Sequence, residues 1–65
     1  MIAIPTDIYD KDGNMMCIEF NDAKGNFLVK ADWDERDEQT SENRVKFREW
    51  AYKFVKDNLD YEVKK

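Results

Sequence analysis

Asp10-Lys11-Asp12-Gly13-Asn14 returns twelve residues later as Asp22-Ala23-Lys24-Gly25-Asn26, and this doubled Asp-x-x-Gly-Asn constrains the chain more than any other feature. Asp favours the first position of a type I turn, and Gly adopts the left-handed conformation that closes a hairpin. Two such turns divide the first half of the chain into three strand-length pieces, about 2–9, 15–21 and 27–33. An antiparallel β-meander follows.

The first piece carries Ile2, Ile4 and Ile8 at even positions, which is strand periodicity. Pro5 has no N–H to give to a ladder, so this strand is predicted at a sheet edge. Three-residue loops with Gly bulges would set Ile8 opposite Met16 and Ile4 opposite Phe20 in the first hairpin. The same loop in the second hairpin would turn Phe27, Val29, Ala31 and Trp33 away from that face, because a one-residue slip flips a whole strand. A second loop one residue longer, with Asn26 left-handed, restores agreement; a bulge or a sheet apolar on both faces are the alternatives. The longer loop places Phe20 by Val29, Ile18 by Ala31 and Met16 by Trp33.

Asn43 to Leu59 is the one long amphipathic segment. At 3.6 residues per turn, Phe47, Trp50, Ala51, Phe54, Asn58 and Tyr61 share a side, and Val55 and Leu59 widen it. Thr40 and Ser41 supply hydroxyls for the free N–H groups of the first turn, and Glu42 suits the positive end of the helix dipole. The fold class expected is α+β: a three-stranded antiparallel β-meander with one C-terminal helix, about 41–59, packed on one face, residues 1–65 forming a single small domain. After Leu59 the chain is expected to fray.

Composition narrows the function. One cysteine allows no internal disulfide and suggests a reducing compartment; with no His, the chain lacks the ligands of an ordinary zinc site. No apolar run is long enough to span a bilayer, and no basic-then-apolar leader opens the chain, so a cytoplasmic location without membrane contact is expected. Residues 1–42 hold 11 acids against 4 bases, net −7, and residues 43–65 hold 4 against 7, net +3. Sheet and loop are acidic, and the helix with its tail is basic.

Asp10 to Asn14 opens like an EF-hand loop, but the sixth, eighth and twelfth positions are Met15, Cys17 and Asn21 where Gly, an aliphatic residue and Glu are required. It reads as a turn, and no metal or cofactor is expected. The acidic run Asp32, Asp34, Glu35, Asp37, Glu38 and Glu42 reads as a solvated loop or as a docking surface for a basic protein, ahead of a divalent-cation site. Arg44, Lys46, Arg48, Lys53, Lys56 and the Lys64-Lys65 tail raise nucleic-acid binding. The predicted order of three strands and one helix is similar in architecture to some integrase arm-type DNA-binding domains. Interrupting Glu49, Asp57 and Asp60, together with a net charge of −4, weigh against it. Catalysis has no His base, no Ser with a recognisable base and no phosphate loop, and Cys17 reads as a core thiol; no enzyme is expected.

The second sheet face is predicted to gather Tyr9, Met15, Cys17 and Leu28 with Glu19, Lys30 and Asp32, extended by Trp33 and Tyr52. Clustered apolar groups of this kind mark an association surface. The function expected is a small acidic, non-enzymatic protein-interaction module, in the style of small phage or mobile-element regulators and inhibitors. Its contact residues would be Asp32, Asp34, Glu35, Asp37, Glu38, Tyr9, Met15, Leu28 and Trp33. A nucleic-acid-binding domain using the basic helix face and a structural homodimer are the alternatives.

Overall fold

The computed structural model describes residues 1–64. Its elements are β1 (Ile2–Tyr9), β2 (Met15–Asn21), β3 (Phe27–Asp32), α1 (Ser41–Leu59) and β4 (Glu62–Val63). The sheet order is β3-β2-β1-β4, antiparallel through the first three strands, with β4 parallel to β1. This is an α+β fold with a meander-like sheet and the helix on one face. No helix among the described residues is long and apolar enough to cross a membrane.

Both repeats fold into the same turn. Asp10 N–H donates to the Asn14 carbonyl at 2.8 Å and Asp22 N–H to the Asn26 carbonyl at 2.9 Å. In each, the Asp carboxylate accepts from the N–H groups two and four residues on. These donors hold the Asp10 and Asp22 carboxyls below their ordinary pKa, the bond from the Asn N–H being the largest cause in each. Gly13 and Gly25 take φ of 83° and 87°, the left-handed region the turn requires.

The repeat extends further than the turn. Ile8 pairs with Cys17 while Tyr9 pairs with Met15, so Met16 is an extra, bulged residue. Phe20 pairs with Val29 while Asn21 pairs with Phe27, so Leu28 is bulged at the same offset from its turn. The predicted first register is therefore corrected: Pro5 faces Phe20 and Ile4 faces Asn21. The second register has the expected partners, Phe20 with Val29 and Ile18 with Ala31, and Trp33 N–H reaches the Met16 carbonyl at 2.9 Å. A bulge produces it, because Asn26 is not left-handed.

The bulge at Met16 decides which side chains of β1 are buried. Ala3, Pro5 and Asp7 fall on the helix side, opposite Phe20 and Ile18, and the isoleucines fall on the other. The core is Ala3, Met15, Ile18, Phe20, Ala51 and Val55. Each fully buried side chain of the size of Phe20 or Ile18 contributes about 1.5–3 kcal/mol.

Residues after the helix do not fray. Asp60 adopts the left-handed conformation at the C-cap, φ 55°, which a short polar side chain tolerates, and turns the chain back along β1. Glu62 N–H then donates to the Met1 carbonyl and Lys64 N–H to the Ala3 carbonyl, each at 2.9 Å. β4 reaches only Ile2 and Ala3, so among the described residues β1 is an open edge from Ile4 onward. The alternation that aims the Ala3 carbonyl at β4 aims the Pro5 nitrogen the same way, where no strand follows among the described residues and no N–H is needed. The last residue of the basic tail, Lys65, lies outside the described residues.

The helix begins as its cap predicts, with Thr40 Oγ1 accepting from Asn43 N–H at 3.0 Å. Its rotation about its own axis differs from the prediction. Ala51 and Val55 are buried, but Trp50 is 56% exposed, Phe54 40%, and Asn58 lies in solvent. The inward arc is centred on Arg48, Ala51, Tyr52 and Val55. Arg48 donates to Asp7 Oδ2 at 2.7 Å, and the Tyr52 ring meets Phe20 edge-on with centroids 5.9 Å apart. Two constraints pull this way: an acid on the helix side of β1, and the short tether from α1 into β4. α1 accordingly lies over β2 and β4 and leaves the β3 flank less covered.

Candidate interaction surface

The acidic connection between β3 and α1 is folded, not loose. Asp34 Oδ1 accepts from the backbone N–H and Nε of Arg36 at 3.0 and 3.1 Å, and Oδ2 accepts from its guanidinium at 2.9 Å. This fork, chiefly its side-chain bonds, lowers the Asp34 carboxyl to about 2. Asp37 N–H returns to the Asp34 carbonyl, and Trp33 Nε1–H donates to the Asp37 carbonyl at 3.1 Å. Gln39 then acts as a one-residue strand: its side chain accepts from Met15 N–H and donates to the Met15 carbonyl, both at 3.0 Å. Backbone groups at the open end of β2 are thus satisfied by a side chain.

This scaffold sorts the acids. Asp34 is spent on Arg36, Asp32 lies 3.5 Å from Lys30, and Glu42 lies 3.2 Å from Lys46. Glu35, Asp37 and Glu38 make no ion pair among the described residues and remain in solvent. Glu35 and Asp37 join Asp10, from the first turn, around an open hollow lined by Met16 and Trp33. Its rim is acidic and its lining includes no base.

A second feature adjoins it. Trp33 meets Phe47 edge-on at 5.1 Å, Phe47 stacks on Trp50 at 6.2 Å, and Trp50 tilts against Phe54 at 5.8 Å. The four rings form a continuous row along the β3 flank of the helix, and its outer half is exposed. Helical periodicity places Phe47, Trp50 and Phe54 on one side but does not say that the core uses the neighbouring arc.

The predicted residues divide as follows. Asp32, Asp34, Glu35, Asp37 and Glu38 stand on one exposed stretch, with Trp33 beneath it. Met15 is in the core, turned inward by the bulge beside it, and offers no outer surface. Leu28 is half-buried against the core and Tyr9 is exposed at the far end of β1. They do not form the patch expected. The apolar residues of the outer sheet face are instead Ile2, Ile4, Ile8 and Phe27, the last across from Asn21, with Cys17 buried opposite Ile8. Burial pushes the Cys17 thiol above its ordinary pKa, which disfavours the reactive thiolate.

The basic helix face is partly committed. Arg48 is held by Asp7, Lys46 by Glu42, and Arg44 by the Gln39 side chain and, at 3.5 Å, the Gly13 carbonyl. No three acidic or thiol groups among the described residues gather in a metal-holding arrangement. No family model, curated protein or solved structure matches the chain.

Proposed function

We propose that the protein is a small non-enzymatic interaction module that docks a basic segment of a protein partner on its folded acidic connection. The hollow lined by Met16 and Trp33 and rimmed by Asp10, Glu35 and Asp37 carries this reading. An Arg or Lys entering it lays its aliphatic stem on the apolar floor, faces the Trp33 ring, and brings its charge to the acidic rim. Because hydrogen bonds within the connection already order it, little backbone entropy remains to be lost on docking. The unpaired acids repel one another in the free protein, and a cationic partner relieves that cost. The commitment of Arg44, Lys46 and Arg48 to other groups favours this reading over docking of phosphates on the helix.

The test is affinity capture from the source cell with the native chain and with Glu35→Lys, Asp37→Lys and Glu38→Lys combined. Asp34 is left intact because it folds the connection. A captured protein that is lost with the triple variant, and released by salt, supports the reading. Equal capture by both chains removes the acidic connection from the account.

A further inference from the structure

Two unsatisfied features lie on the same side of the molecule. One is the free edge of β3, the other the exposed outer half of the aromatic row above it. The opposite margin of the sheet is treated differently, since β4 covers the start of β1 and Pro5 blunts the next position. Beyond its bulge at Leu28, β3 has no such protection.

The hydrogen-bond phase of that edge follows from the ladder. Trp33 N–H points to β2, and Ala31 pairs with Ile18 two residues earlier, so Lys30 and Asp32 direct their N–H and C=O groups outward. Their side chains share the outer sheet face, 3.5 Å apart. An antiparallel copy of the same edge can satisfy these groups only in registers that set Lys30 and Asp32 against outward-pointing residues. Registers centred on Lys30 or Asp32 place like charges face to face. The register centred on Ala31 places Lys30 against Asp32 twice, once on each side of the axis, and like charges directly opposite are destabilising whereas opposite charges stabilise.

We infer that two copies of this chain pair antiparallel through β3 about a two-fold axis at Ala31, joining the two sheets into one. Lys30 and Asp32 of each copy exchange both backbone hydrogen bonds with Asp32 and Lys30 of the other. On the helix side the axis passes between two alanines, the smallest side chains of β3, and Val29 faces Trp33 of the second copy. Trp50 and Phe54 of both copies then close over the joined inner faces, and the exposed aromatic surface is buried by its own image, as an isologous interface requires. The acidic connections stay outside the two-fold, so this pairing does not rest on the partner reading above.

Sedimentation velocity across micromolar to near-millimolar concentrations tests it, using Lys30→Glu, Asp32→Lys and their mixture. Both positions are solvent-exposed, at 52% and 68% of the side chain, and because Lys30 also lies across from Glu19 within the sheet, circular dichroism of each variant checks that the fold is kept. The native chain is expected to sediment at twice its 7.8 kDa mass at the upper concentrations. Each single variant sets like charges opposite one another at two places and weakens the dimer by about tenfold or more. An equimolar mixture restores opposite charges at both places and re-forms the dimer as a mixed species; weakening by each single variant alone, with rescue in the mixture, is the pattern that only the register centred on Ala31 gives. Trp50→Ala weakens the dimer without altering that charge rule. A native chain that stays monomeric leaves the edge to a strand of some other protein and overturns the inference. So does a dimer indifferent to both charge changes, or variants that fail to rescue each other. Reversing Glu35, Asp37 and Glu38 leaves the dimer intact, while the Lys30→Glu variant, which removes no acid from the connection, leaves partner capture intact, so the two readings fail separately.

Discussion

Asp7→Asn removes the one charge that faces the helix from β1 while keeping the shape of the side chain, and so tests what sets the roll of α1. The Arg48–Asp7 contact is 2.7 Å, at the short end for charge-assisted bonds, and the two side chains are 34% and 26% exposed. Fully exposed pairs are worth about 0–1 kcal/mol, and breaking a fully buried one costs about 3–5 kcal/mol. With roughly a third of each group still in water, most of the buried-pair figure is screened away, and about 1.5–2 kcal/mol remains. For a domain this small that corresponds to a fall in Tm of about 6–16 °C. Urea unfolding followed by circular dichroism measures it, and a double-mutant cycle with Arg48→Met isolates the pair, with an expected coupling of about 1 kcal/mol. In a Trp33→Phe background, the Trp50 emission should also shift to the blue in Asp7→Asn, as the helix rolls its aromatic row toward the sheet. Additive losses within about 0.3 kcal/mol, with unchanged Trp50 emission, would refute the claim that this pair orients the helix.

Two further outcomes follow from the turns and the acidic connection. Gly13→Ala and Gly25→Ala should each cost about 1 kcal/mol and by similar amounts, because both glycines are left-handed and neither meets another atom where a Cβ would sit; urea midpoints differing widely would mean the two turns are not equivalent. The Asp34 carboxyl lies at about 2 in the folded protein, below the unfolded carboxylate value of about 3.9, so its contribution is complete above about pH 4 and is lost as pH falls through about 2. Asp10 and Asp22 shift in the same direction, so the urea midpoint should decline over this acid range, and an NMR titration of Asp34 with a midpoint near the unfolded value would contradict the fork with Arg36.

Local signals in the chain carried the elements. The two Asp-x-x-Gly-Asn turns, the Thr40 cap and the spacing of apolar residues are interactions among near neighbours, and they place three strands and the helix without reference to the rest of the molecule. Ser41–Leu59 begins and ends where those signals put it, and the acidic stretch after Trp33 was visible as charge alone. What they could not decide is which faces meet. A bulge adds one residue to a ladder at negligible change in composition, yet it moves Ile4 and Ile8 outward and Met15 inward. The roll of the helix turns on Asp7 meeting Arg48 across 41 residues of sequence, and on a two-residue strand whose only signal was its pairing with Ile2 and Ala3. Periodicity names a broad apolar stripe, but the choice of its buried half is made by partners distant in the chain. That choice leaves Trp50 and Phe54 exposed beside the open β3 edge, where the sequence alone had placed them in the core.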